Sequence, residues 1–152
     1  MRSYTNIKFV MEADNGEELL AKIPESQPDV VLCDLKMPVK DGIDTTKMIT
    51  KNFPHVRVII LTMYEDERFV GHLMDCGAAG YLLKSTEPGE IRKAIMEVMR
   101  TGFYLNPFVN KVLIKKNYSK QLYFFAACSV LAIFILLTDS KLFTAMANLS
   151  YL

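Results

Sequence analysis

Apolar and polar positions alternate along most of the chain in blocks whose spacing switches between strand-like runs and helix-like stripes. Residues 7–13 (IKFVMEA) read as a strand, and Asp14-Asn15-Gly16 then turns the chain. Residues 17–23 (EELLAKI) put Leu19, Leu20 and Ile23 on one helical face, a short amphipathic helix stopped by Pro24 and Pro28. The next run, Val30, Val31, Leu32 and Cys33, is apolar without alternation and ends in a carboxylate, Asp34; this is the pattern of a buried parallel strand whose tip presents the acid. Residues 43–51 give a helix with Ile43, Thr46, Met48 and Ile49 apolar or small, closed by Asn52 and Pro54. A β-branched run at 56–62 (VRVIILT) is the next strand. Residues 65–76 are weakly helical, with Phe69, Val70, Leu73 and Met74 apolar and Gly71 interrupting, and 77–84 (GAAGYLLK) form a glycine-framed strand ending at a lysine. Thr86 as N-cap, Pro88 near the start and Glu87 and Glu90 in the first turn then open a helix with Ile91, Ile95, Val98 and Met99 facing inward. Four strands alternating with four helices predict an α/β fold, a doubly wound parallel sheet with helices on both faces.

Composition adds mainly exclusions. A length of 152 residues allows one ordinary domain and a tail, and a formal net charge of +1 with no basic stripe before residue 110 argues against direct nucleic-acid binding by this chain. The cysteines, Cys33, Cys76 and Cys128, sit in apolar runs without C-x-x-C spacing, which predicts buried, reduced thiols, cytosolic chemistry and no metal. His55 and His72 are isolated in sequence and read as surface or half-buried residues. No Ser/His/Asp or metal constellation exists, so the chain does not read as an enzyme.

The chemistry gathers at the strand ends. Asp34, Met37, Pro38, Asp41 and Gly42 spell D-x-x-M-P-x-x-D-G, which resembles the phosphoacceptor loop of a bacterial response-regulator receiver domain, and the intervals onward to Thr62 and Lys84 resemble the NarL/LuxR type. The resemblance implies a receiver (flavodoxin-like) fold. It also implies roles: Asp34 as phosphoacceptor, Thr62 as switch hydroxyl, Lys84 as phosphoryl contact and Tyr81 as switch aromatic. A sensor histidine kinase would be the partner, a receiver dimer a further one, and a full-length parent would regulate transcription from the cytoplasm. Taken one by one, the same residues have plainer readings: an Asp after a strand as a turn former, Thr and Lys at strand ends as solvated groups, and Tyr as strand filler.

Two departures bear on function. Members of the family open with a strand ending in an acid pair that binds Mg²⁺ together with the phosphoacceptor; neither precedes residue 7, so the expected domain, 1–116, is a receiver truncated at its N-terminus. Asp34 alone leaves the Mg²⁺ site incomplete, because Mg²⁺ wants octahedral oxygen ligands. In the family's strand order 2-1-3-4-5 the missing strand lies between 7–13 and 30–33, leaving two edges unpaired. At the other end, 117–152 is a hydrophobic tail too short for a helix-turn-helix domain. Its residues 122–137 are apolar without interruption, and with Thr138 a helix there would rise about 24–26 Å, at the lower limit for crossing a bilayer. Lys111, Lys115, Lys116 and Lys120 precede it as a positive flank. Three readings of the tail stay open: a membrane helix at 122–138, a helix packed on the domain, and out-of-frame sequence. The function has a matching alternative, a receiver that is not phosphorylated and acts by binding partners.

Overall fold

The computed structural model describes residues 7–117. Within them run α1 (Gly16–Ser26), β1 (Val30–Asp34), α2 (Gly42–Asn52), β2 (Arg57–Thr62), α3 (Glu67–Asp75), β3 (Gly80–Leu83) and α4 (Pro88–Thr101), followed by a closing helix α5 over 107–117. The chain divides into two compact units, Met1–Val112 and Leu113–Leu152. The packing below is that of the first.

The sheet has the order β1-β2-β3, all parallel. β2 lies in the middle, paired from Val58 to Val31 on one side and from Ile59 to Gly80 on the other. Because successive side chains point to opposite faces, its fully buried run needs cover on both. Ile59 packs with Ala79, Leu82, Ala94, Val98 and Tyr104, so α4 covers that face; Val58 and Ile60, on the other, are also buried, and α2 packs on β2 as well. Beyond α4, Tyr104 bridges back to Gly80 and its N–H donates to the Ala79 carbonyl, which extends the β3 edge by one residue.

Residues 7–13 are not a strand. They run without a ladder, and Phe9 is 75% exposed. A strand is stabilised by its neighbour, and among the described residues none lies between 7–13 and β1 to pair with either. The segment is tied to α1 instead: Lys22 Nζ donates to the Glu12 carbonyl at 2.8 Å, and the Asp14 N–H to Glu18 Oε2 at 2.9 Å. Among the described residues the outer edge of β1 is correspondingly unpaired, with Leu32 42% exposed.

Smaller departures have local causes. α1 continues through Pro24 to Ser26, because a proline so near the end removes one N–H donor while the Gln27 N–H still closes the last turn on the Ile23 carbonyl. Asn15, whose side chain accepts from the N–H groups of Glu17 and Glu18, starts the same helix. The cap of α4 is Glu87, not Thr86, whose N–H turns back to the Leu83 carbonyl. Ala94 and Val98 are the buried residues of α4, Ile91 and Ile95 pack beside them, and Met99 is 51% exposed. Cys33 is buried and free, whereas Cys76 is half-buried. No helix among the described residues is long and apolar enough to cross a membrane. The apolar stretch 122–137 and Cys128 lie outside the described residues.

Candidate functional site

Parallel pairing sets the C-terminal tips of the strands side by side. Asp34 closes β1 opposite Leu61, and Thr62 closes β2 opposite Leu83, so Lys84 follows immediately beyond β3. The Lys84 N–H donates to the Thr62 carbonyl at 2.7 Å, which fixes where its side chain leaves the sheet. From there Lys84 Nζ reaches Asp34 Oδ2 at 2.5 Å. Both groups are partly exposed, so this pair adds only about 0–1 kcal/mol to stability. Its interest is chemical: an ammonium stands where it would neutralise an anion attached to the carboxylate.

The loop after Asp34 is built to hold that carboxylate. The Lys36 N–H donates to Asp34 Oδ1 at 3.2 Å, and the Leu35 N–H to the Leu61 carbonyl at 3.0 Å. Lys40 N–H then donates to the Pro38 carbonyl across Val39, whose φ of 64° is left-handed. This is a γ-turn centred on a β-branched residue, a strained geometry that the surrounding contacts must maintain. Asp41 caps α2, its Oδ1 accepting from the Asp44 N–H at 2.9 Å, and the Gly42 N–H returns to the Leu35 carbonyl. A Cβ on Gly42 would stand 2.4 Å from the Asp34 carbonyl oxygen, so only glycine allows helix and strand end to approach this closely.

Thr62 is 2% exposed, and its Oγ1 accepts from the Tyr64 N–H at 3.3 Å. Tyr81 is 1% exposed; its hydroxyl donates to the Tyr64 carbonyl at 2.6 Å. Burial raises the Tyr81 pKa above its ordinary value. Tyr64 thus joins the two hydroxyls, its N–H donating to Thr62 Oγ1 and its carbonyl accepting from Tyr81, and ties both to the loop between β2 and α3. Asn106 Nδ2 donates to the Tyr81 carbonyl, and the Phe108 ring lies 6.4 Å from the Tyr81 ring, which steadies the tyrosine from the side of α5.

The structure thus gathers Asp34, Thr62, Lys84 and Tyr81 around the tips of β1, β2 and β3. Sequence reasoning missed Lys36 and Tyr64. The Lys36 ammonium sits 4.8 Å from the centre of the Tyr64 ring, joining the loops after β1 and β2 over the site. Their signal was position alone, two residues past Asp34 and two past Thr62. Cys33, beside the aspartate, is inert: burial, then the charges of Asp34 and Asp41, push its thiol up to about 12.

A divalent metal does not fit the described residues. Among them no group of three or more His, Cys, Asp or Glu side chains could hold an ion, and both Asp34 oxygens already accept hydrogen bonds. Glu12 and Asp14 are engaged with α1 through their backbone.

The family model of the response regulator receiver domain matches residues 3–96. The chain belongs to that family. Among curated relatives, the transcriptional regulatory protein LnrK of Bacillus subtilis (strain 168) is 41% identical over 101 residues, covering 66% of this chain and 46% of LnrK. The transcriptional regulatory protein DegU of Brevibacillus brevis is 34% identical over 109 residues, 72% of this chain and 46% of DegU. This receiver chain spans about half the length of the curated relatives it matches. Among solved structures, a LuxR-family two-component response regulator from Aurantimonas sp. SI85-9A1 superposes with a TM-score of 0.62 at 28% identity, covering 70% of this chain and 76% of that one. The isolated REC domain of RcsB from Salmonella enterica serovar Typhimurium, solved in the presence of phosphomimetic BeF3−, gives 0.62 at 26% identity, covering 69% and 78%. The α/β architecture and the LuxR-type resemblance are both shown by these matches. The chain is a receiver domain of two-component response regulators.

Proposed function

We propose that Asp34 is the phosphoacceptor of this receiver and that Thr62, Lys84 and Tyr81 read its state. The observation that carries the reading is the 2.5 Å contact between Lys84 Nζ and Asp34 Oδ2 at the strand tips. An Asp34 oxygen attacks the phosphorus of a phosphohistidine on a sensor kinase, a P–O bond forms as the P–N bond breaks, and the histidine nitrogen leaves with the electron pair. Lys84 turns from the carboxylate to the new phosphoryl oxygens. Thr62 Oγ1 exchanges its bond with the Tyr64 N–H for one to the phosphoryl group, and the loop carrying Tyr64 and the Tyr81 hydroxyl moves with it. In this reading residues 1–116 form the signalling unit, 117–152 a separate tail, the location is cytoplasmic, and the parent protein regulates transcription.

The family's dependence on Mg²⁺ meets a site with one carboxylate, so uptake is expected to be slow. Incubation with acetyl phosphate and Mg²⁺ should give a small amount of hydroxylamine-labile label, absent in Asp34→Asn and reduced in Lys84→Ala. Label that persists in Asp34→Asn would remove the aspartate from this role, and a chain that takes none even from a phosphorylated kinase domain would favour a receiver acting through binding alone.

A further inference from the structure

The loop after β1 carries a second ammonium over the strand tips, that of Lys36. The Lys36 N–H donates to Asp34 Oδ1 at 3.2 Å, so the backbone of this lysine is anchored on the carboxylate itself. Its ammonium lies 4.8 Å from the centre of the Tyr64 ring, and no carboxylate pairs with it among the described residues. Tyr64 is exposed, and a cation over an exposed ring is held weakly, so the ammonium exchanges that ring readily for an anion. Charge decides whether it is needed. Asp34 carries one negative charge, which Lys84 Nζ at 2.5 Å offsets. A phosphoryl group on that carboxylate replaces it with a group carrying about 1.5 to 2 negative charges at neutral pH, as phosphate monoesters do. One ammonium leaves much of that charge uncompensated. A divalent cation would supply the remainder, but the described residues offer it one carboxylate whose two oxygens already accept hydrogen bonds.

We propose that Lys36 supplies the charge a divalent cation would bring: its ammonium and that of Lys84 together hold the phosphoryl oxygens, so that this site binds phosphate-type dianions without a metal. The covalent step rests on the reading of Asp34 as phosphoacceptor. With acetyl phosphate as donor, an Asp34 oxygen attacks the phosphorus, the P–O bond to Asp34 forms as the P–O bond to the acetyl group breaks, and acetate leaves with the electron pair; no proton moves. Lys36 leaves the Tyr64 ring for the phosphoryl oxygens. Its departure acts on the same residue as the Thr62 exchange: the Tyr64 ring loses Lys36 as the Tyr64 N–H loses Thr62 Oγ1, so the loop after β2 is released from two sides at once. The plainer reading of the same contact is a surface lysine resting on a tyrosine, with no part in anion binding.

Inorganic phosphate is the probe, added in excess EDTA to the full-length chain carrying Asp34→Asn, because the amide removes the negative charge of the carboxylate and leaves both ammoniums in place. The Lys36 side-chain protons, shifted upfield by the Tyr64 ring, should move downfield as phosphate is added and should saturate, and added Mg²⁺ should leave the affinity unchanged. Adding Lys36→Met, which keeps the stem and removes the charge, should weaken phosphate binding at least about tenfold, less than the hundredfold or more of an enclosed oxyanion donor because the site is open to solvent. Lys36→Arg should retain most of the affinity. In the unaltered chain acetyl phosphate should label Asp34 as fast in EDTA as in Mg²⁺, and more slowly in Lys36→Met. A chain that takes no label, yet binds phosphate through Lys36 in Asp34→Asn, would remove Asp34 as phosphoacceptor and still uphold the two-lysine site. Absence of saturable phosphate binding in Asp34→Asn, equal affinity with and without Lys36→Met, or binding or labelling that appears only with Mg²⁺ would overturn it.

Discussion

At the scale of single residues, two glycines at helix starts separate packing from propensity. Alanine in place of glycine within a helix ordinarily adds about 0.5–1 kcal/mol. Gly89, at the second position of α4, has nothing within 4 Å of the place a Cβ would take, so Gly89→Ala should show that gain. Gly42 opens α2, yet its Cβ would meet the Asp34 carbonyl oxygen at 2.4 Å and Leu35 Cα at 2.9 Å, both backbone atoms with little freedom to move. Overpacking of this kind costs about 1–3 kcal/mol, which outweighs the propensity gain. Gly42→Ala should therefore lower the urea midpoint while Gly89→Ala raises it, and should blunt labelling of Asp34 by shifting the end of β1. A rise in both midpoints would mean that α2 does not start against the strand end as described.

At the scale of elements, the part of the fold that was legible in sequence is the part whose signal is local. The uninterrupted run at 30–33 and the β-branched run at 56–62 became β1 and β2 because a strand buried on both faces needs little more than an apolar stretch between breakers. Asp34, Thr62 and Lys84 were legible for a related reason: each follows or closes such a run, and parallel strands bring their ends together. Residues 7–13 have the same apolar character, but strand formation also needs a neighbour, and no local pattern supplies one. Lys36 and Tyr64 were missed because a contact between two loops leaves no periodicity. Amide exchange should grade the elements accordingly. Ile59 and Ile60 in the doubly paired β2 should be the slowest, the open edge of β1 around Leu32 faster, and residues 7–11 close to unprotected. Protection at Phe9 and Val10 equal to that in β2 would show that the segment finds a strand partner in solution.

Across the whole molecule, the titrating groups that the fold shifts divide unevenly between acid and alkaline pH. Among the described residues the carboxylates held below their usual range are Glu18, mainly by its hydrogen bond to Lys22, and Asp66, mainly by its hydrogen bond to Arg68. Stability they contribute is present above their unfolded pKa and is lost as pH falls through the folded one, but both pairs lie at the surface, with Glu18 35% and Asp66 23% exposed, and solvent screens them, so the acid limb should be shallow. On the alkaline side, apart from the exposed Arg68, the shifted groups among the described residues are buried. Cys33 is pushed up to about 12 by burial and then by the charges of Asp34 and Asp41; Tyr81 is raised mainly by burial, and Tyr104 by burial and then its contact with Glu90. Each keeps its proton longer when folded than when unfolded. The folded state therefore binds more protons between the two pKa values, and its stability falls as pH rises through that window, by about 1.4 kcal/mol per pH unit for each group that is fully in it. Cys33 enters first, from about pH 9, and Tyr81 and Tyr104 follow from about pH 10. Urea unfolding between pH 5 and 11 should thus show a plateau through neutrality and a steep decline above about pH 9. Cys33→Ala should flatten the first part of that decline while costing stability at pH 7 through the cavity it leaves; an unchanged alkaline limb in Cys33→Ala would show that the thiol ionises as readily in the folded chain as in the unfolded one.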